Sequence, residues 1–515
     1  MQKKLHTKRH VKENNLRHLF YRKDAKLPGG LLPIPAATVQ LLEERASGVK
    51  RFAVLGSTED VESIGYEALL PSLVHTQLPA GQPRIKIGGP QCLKPYEASV
   101  LNCSALSFGP MSKNFILAIN QAAAKGGFFQ NTGEAGLSPY HFGVDVDIET
   151  PDFRMDAFMD QLASGAYPEL EAAGDLVWQI GTGYFGCRTP EGGFDAEQFA
   201  QKAAIPNVKM IELKVSQGVQ PRKEMPVREV TPGIAKVLGI PSGEEAKLQN
   251  SHVMFANPLQ LLAFIQQLRQ LSGGKPVGIK MGLSHKRWFL ALCKAMRKSG
   301  ILLDFITIDG MEAGTAAAAQ GTLGYTGTPL NDAILYIHNS LTGVDLRSSI
   351  KLIASGKVLT ERDMISKLAR GADLCATARG FMLSVGCDQQ GECYKGNCPK
   401  GIATQDAGLM AKFSIKNNSG RALNYHSLTI AELKELLSVA GVSHPDEIGP
   451  FHVQKRVSVS ELKTLDEIYE FIPAGSLLSP WPWGLPERFR KDWRLARADM
   501  SFSEMLAAQA KAVGR

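Results

Sequence analysis

No apolar run in the 515-residue sequence approaches the ~20 residues of a membrane span, and no signal-type segment opens it. The expectation is a cytoplasmic protein without a membrane span. Cysteine is sparse. Eight residues (Cys92, Cys103, Cys187, Cys293, Cys375, Cys387, Cys393 and Cys398) cannot staple a chain of this length, which points to a reducing compartment. No repeat and no low-complexity segment is present. Strong charge of one sign is missing from the body of the chain. The formal charge is +8, but residues 1–26 hold nine lysines and arginines against Glu13 and Asp24. That +7 tail leaves the remainder near neutral, which excludes a basic nucleic-acid-binding surface outside the tail. The tail itself reads as a solvated end with a short helix around Val11–Tyr21. No G-x-G-x-x-G follows a candidate strand, so oxidation of a nicotinamide cofactor is expected on a partner.

What is present is globular: 44% hydrophobic and 21% charged residues, with 50 glycines and 28 prolines, many for a helical bundle. Leu27–Ala37 is Pro/Gly-rich, and residues 38–95 mix short helical and irregular patterns. Strand-length apolar runs then alternate with helical windows. The candidate strands are Val100–Leu106, Phe128–Asn131, Leu176–Ile180, Met210–Val215, Val277–Met281, Phe305–Asp309, Lys351–Ala354 and Leu374–Ala378. Several are continuous rather than alternating, as in parallel strands covered on both faces. Asn114–Lys125, Pro258–Ser272 and His285–Ser299 are helical windows between them. Eight strands joined by crossovers predict a (β/α)8 barrel, with a basic N-terminal extension over 1–95, the barrel over 96–415 and a C-terminal helical extension over 416–515. In the last of these, Pro480–Trp483 and Arg488–Arg497 read as packing and surface features.

Barrel chemistry sits at the C-terminal ends of the strands. There the sequence places Ser107–Gly109, Asn131–Glu134, Gly181–Gly183, Lys214–Gly218, Lys280, Asp309–Thr315, Ser355–Lys357 and Ala378–Gly380. Small residues, lysines and carboxylates gather at these exits. One further feature stands out. Cys387, Cys393 and Cys398 form C-x5-C-x4-C-P in a polar loop over 386–399. Structural zinc favours C-x2-C pairs with a fourth ligand, which is not nearby. Three thiolates on one loop suit an iron–sulfur cluster with one open corner, and three unrelated free thiols are the alternative.

The segments IGGPQC (87–92), SALSFGPMS (104–112), NTGEAG (131–136), WQIGTGYFGCR (178–188), IELKVSQG (211–218), GKPVGIKMG (274–282), DFITIDGMEAGTAAAA (304–319), ASGKV (354–358), ARGFM (378–382) and GCDQQGECYKGNCPKGIATQD (386–406) are similar in order and spacing to the FMN-binding glutamate synthase family. The resemblance runs from about Arg84 to Asp406. It implies a barrel holding FMN at its mouth beside a [3Fe-4S] cluster, with Cys387, Cys393 and Cys398 as cluster ligands. It implies that Lys280 and Glu134 are catalytic, Lys280 lying against the flavin. Ser107, Gln179, Gly314, Gly356, Arg379 and Gly380 are implied as flavin contacts, and Gly109, Met111, Ser112, Lys214 and Gln217 as substrate contacts. The implied activity is reduction of a 2-iminoglutarate-type imino acid to an amino acid, or the reverse. Electrons would come from a partner reductase subunit or ferredoxin.

The sequence departs from the family at several places. Gln220 stands where the family has a lysine for a substrate carboxylate, Leu238 where it has an arginine, and Glu224 where it has a glutamine. Ala135, Ala313 and Ala316 replace glycines. Arg222, Lys223 and Lys236 are the nearby cations that could compensate. The first cysteine is Cys92, so the N-terminal nucleophile of glutamine-dependent synthases is absent and ammonia from glutamine is not expected. Two further readings follow from the departures: a different carbon–nitrogen substrate such as an N-alkylated amino acid, or a catalytically drifted barrel with a binding, sensing or structural role.

Overall fold

In the computed structural model the expected strands close on themselves. The structure describes residues 34–511 apart from 51–55, 58, 217–223, 226–229, 248, 315–321, 323, 392 and 480–484. The tail helix expected at Val11–Tyr21 and the Pro480–Trp483 segment lie outside the described residues. The barrel strands are β1 (Leu101–Cys103), β2 (Gln130–Asn131), β3 (Leu176–Ile180), β4 (Val208–Lys214), β5 (Val277–Met281), β6 (Phe305–Asp309), β7 (Lys351–Ser355) and β8 (Leu374–Thr377). All neighbours run parallel, and β8 pairs with β1 to complete the ring. This is the (β/α)8 architecture that the alternation of runs predicts.

Three strands, β3, β5 and β6, have the limits expected from their apolar runs. β1 and β2 are shorter than expected. Their backbones nevertheless continue the ladder: Cys103 N–H donates to Phe129 O at 3.0 Å and Leu106 N–H to Asn131 O at 3.2 Å. Interiors and exteriors alternate along each strand. Trp178 of β3 points outward and stacks on Phe199 at 5.2 Å, within the helix α2 (Ala196–Ala203). Its neighbour Gln179 points into the barrel.

The helices follow from capping and periodicity. Helix α1 (Lys113–Gly126) opens on Ser112, whose hydroxyl accepts from Phe115 N–H, and stops at Gly127 with φ 61°. Helices α3 (Pro258–Leu271), α4 (Lys286–Ser299), α5 (Leu330–Gly343) and α6 (Glu361–Leu368) cover the outer face. After β8 come the short α7 (Arg379–Ser384), the cysteine loop, and the 26-residue α8 (Ile415–Ala440), which lies along α1. Among the described residues no helix is long and apolar enough to cross a membrane.

The C-terminal segment departs from the helix-and-loop expectation. Val453–Ser458 and Glu461–Thr464 form a hairpin that takes Glu67–Leu69 as its third, antiparallel strand. Only Val453 of its first strand is buried, so no apolar alternation marks it. A charge anchors this sheet to the barrel. Arg370, fully buried after α6, donates to Glu67 at 2.5 Å, with Ser366 at 2.8 Å and Lys455 at 3.4 Å from the same carboxylate. Burial alone would raise the Glu67 pKa, but Arg370 outweighs it and holds the carboxyl below its ordinary value. A depressed carboxyl stabilises the fold above its unfolded pKa and stops doing so as pH falls through the folded one. Glu67→Gln is therefore expected to cost about 3 kcal/mol at pH 7. That difference from the parent should shrink as denaturant midpoints are measured below the ordinary glutamate range.

Candidate active site

Four strands send polar side chains to one point inside the barrel. Glu212 of β4 is 1% exposed. Its Oε1 accepts from Asn131 Nδ2 at 2.8 Å and from Gln179 Nε2 at 2.6 Å, and its Oε2 accepts from Thr307 Oγ1 at 2.5 Å. Three side chains from three other strands thus fill the surroundings of its two oxygens. Lys280 of β5, also buried, lies 3.5 Å from Asp309 of β6. Burial alone would lower the Lys280 pKa, but Asp309, Glu212 and Glu134 together raise it above the ordinary lysine value. The barrel mouth thus holds an ammonium in a ring of carboxylates.

Above this layer Lys214 forms an ion pair with Glu134. The Lys214 carbonyl lies 2.9 Å from His252 Nε2, and His252 Nδ1 lies 2.9 Å from Tyr184 OH. Burial lowers the His252 pKa, so the ring is neutral at pH 7. Ser107 packs against Gly133 (φ 67°), where a Cβ would run into the serine hydroxyl.

A second group of charges stands at the exits of β7 and β8. Gly356 has φ 134° and Lys357 has φ 47°, a strained turn for a lysine. Burial lowers the Lys357 pKa and Arg379 lowers it further, while Glu312 opposes them. Lys357 and Arg379 are thus two cations that act on one another at these exits, a charge set suited to a phosphate dianion.

Arg379 also faces the cysteine loop. Burial pushes the Cys387 thiol up to about 11, with Arg379 opposing, and burial likewise raises Cys393. Cys387 and Cys393 interact electrostatically, as do Cys393 and Cys398. All three pack against the core. Among the described residues, however, no three His, Cys, Asp or Glu side chains are arranged to hold a metal ion.

Other residues expected at the site make contacts within the protein. Ser112 is fully buried; besides capping α1 it donates to Gly401 O at 2.6 Å. The carbonyls of Gly109 and Met111 accept from Gln405 Nε2 at 2.7 and 3.0 Å. These three residues dock the segment following Cys398 onto the β1 exit. Gly380 is explained by packing: a Cβ there would run into Tyr425 OH and Thr377, and its N–H already donates to Thr377 Oγ1. Gly314 is exposed at the edge of the described chain. Gln217, Gln220, Arg222, Lys223 and Ala316 lie outside the described residues, as does the side chain of Glu224. Leu238, in the position expected to carry an arginine, is buried in the wall at the end of the helix Pro232–Leu238. Lys236 donates to the carbonyls of Ile148 and Thr150.

Sequence reasoning passed over Glu212 and His252, and gave no role to Asn131, Asp309 and Lys357 although they stand at the strand exits it marked. An acid inside the apolar run Met210–Leu213 was the available signal for Glu212.

Residues 90–443 match the conserved region in glutamate synthase. The chain belongs to the glutamate synthase family. It is 33% identical over 390 residues to the glutamate synthase large subunit-like protein YerD of Bacillus subtilis, covering 75% of this chain and 69% of that one. It is 28% identical over 343 residues to the archaeal-type glutamate synthase [NADPH] of Thermotoga maritima, covering 66% of this chain and 59% of the relative. With the archaeal glutamate synthase [NADPH] of Methanocaldococcus jannaschii it shares 28% identity, over 66% of this chain and 58% of the relative. The chain therefore spans less than two thirds of the archaeal-type relatives. A solved mandelate oxidase structure overlaps 88% of this chain at 12% identity and a TM-score of 0.42.

The Gly380 geometry separates packing from cofactor contact. Gly380→Ala is expected to lower stability by about 1–3 kcal/mol, read as a shift in denaturant midpoint of the protein without added ligand.

Proposed function

We propose that this chain is a flavin-dependent oxidoreductase that interconverts an imino acid and an amino acid. The observation that carries the proposal is Lys280: a buried ammonium at the C-terminal end of a parallel barrel, held among carboxylates. A positive charge there stabilises negative charge developing on a ligand ring. FMN fits the residues present. Lys280, Gln179 and Ser107 would contact its ring, and Lys357 and Arg379 its phosphate. Bound there, FMN supplies hydride chemistry that side chains lack. The protein's own groups bind and orient: Lys280 Nζ offers a charged donor, and the Glu134–Lys214 pair offers an acceptor and a donor to a substrate's amino and carboxylate groups. Neutral His252 fixes the backbone of Lys214.

A [3Fe-4S] cluster on Cys387, Cys393 and Cys398 belongs to the same proposal, supported by their spacing in the sequence. The arrangement of the thiols does not by itself form a metal site, and no step is assigned to it. Electron delivery by a partner reductase or ferredoxin is proposed on the same family grounds. Buried Leu238 favours a substrate other than a dicarboxylate, an N-alkylated amino acid among them, and it is also what favours the reading of a drifted, non-catalytic barrel.

Visible absorbance of the purified protein after incubation with FMN, followed by anaerobic addition of amino acids, tests the proposal. The expected result is bound flavin that bleaches with an amino acid and recovers with a keto acid and ammonia. Lys280→Met should slow bleaching about 100-fold. No flavin uptake, or bound flavin that no amino or keto acid changes, would count against it.

A further inference from the structure

Glu212 has no role in the function proposed above, yet side chains from three other barrel strands converge on its carboxylate. It is 1% exposed and takes donors from β2, β3 and β6. Burying a carboxylate costs several kcal/mol unless its lone pairs are filled, so a structural role alone would be met more cheaply by an apolar residue. Its bonds have a directional consequence. Asn131 gives its Nδ2 to Glu212 while its Oδ1 accepts from Gly133 N–H at 3.0 Å. Gln179 gives its Nε2 to Glu212, which leaves Oε1 as the atom Gln179 turns away from the carboxylate. Lys280 lies 3.5 Å from Asp309 of β6, and Glu212 of β4 and Glu134 also act on it electrostatically. Lys214, its register partner on β4, is already paired with Glu134.

We infer that Glu212 is a positioning residue: it orients the Gln179 carboxamide so that an acceptor faces the mouth. Its charge also acts on Lys280. A ligand ring at this site must then offer an N–H to Gln179 and an electronegative edge to Lys280. The specificity of the mouth is set one layer beneath the atoms that touch the ligand. The inference rests on the flavin reading only for the identity of that ring.

Glu212→Gln tests it with two readouts. The first is the titration midpoint of Lys280, followed by the 13Cε resonance of lysine-labelled protein without ligand and assigned by its loss in Lys280→Arg. The second is FMN affinity across pH by fluorescence quenching. The variant is expected to lower the Lys280 midpoint by about one unit and to weaken FMN about tenfold at pH 7, with the loss of affinity at high pH beginning earlier than in the parent. A folded variant with the parent's midpoint and affinity would overturn the inference. If Glu212→Gln does not fold, Thr307→Val decides: it keeps the charge and removes one of the three donors. It should weaken FMN about threefold by loosening the carboxylate, a modest hydrogen-bond effect, and unchanged affinity would overturn the inference. A parent protein that never binds FMN would instead sink the flavin proposal, and the Lys280 midpoint would still decide the role of Glu212.

Discussion

Everything at the mouth of this barrel depends on charges buried among parallel strands. Glu212 and Asp309 are buried, and each such charge is tolerable only if compensated. Lys280 compensates them, and Asn131, Gln179 and Thr307 fill the lone pairs of Glu212. The set draws on β2, β3, β4, β5 and β6, so ring closure and site assembly are one event. A register slip in any of these strands would turn a charged group toward the helices and an apolar one into the ring.

The second dependence is at the rim. The loop after β1 holds the segment that follows Cys398 through Ser112 and Gln405. Arg379 acts electrostatically on Lys357 and on the thiols of Cys387 and Cys393. The cysteine loop and the paired cations at the β7 and β8 exits are therefore parts of one constellation. Helix α8 closes over it, with Tyr425 donating to Leu359 O at 2.9 Å and crossing Phe381 edge-on. The C-terminal extension is thus built into the barrel wall.

Much of this was legible in the sequence where the signal is local. The strands β3, β5 and β6 are continuous apolar runs bounded by turn residues, and their limits could be read directly. The three cysteines could be found by spacing, and Lys280 by its place at a strand end. What was not legible depends on contacts between distant residues. That Tyr425, on a helix 45 positions later, occupies the Cβ space of Gly380 cannot be read from the sequence around Gly380. The bond from the Ser112 hydroxyl to Gly401 O likewise joins residues far apart in the chain. The strand pair of the C-terminal hairpin has almost no buried face to betray it. Glu212 was hidden because an acid in an apolar run says nothing about which neighbours will converge on it.

The central claim is that the barrel mouth, with Lys280 at its centre, is the flavin site. A crystal structure of the protein grown with FMN tests this most directly. The account predicts the ring in contact with Lys280 and Gln179 and the phosphate in contact with Lys357 and Arg379. FMN found elsewhere, such as the 540 Å³ cavity beside Phe255 and Phe502, with the mouth free of it, would contradict the account.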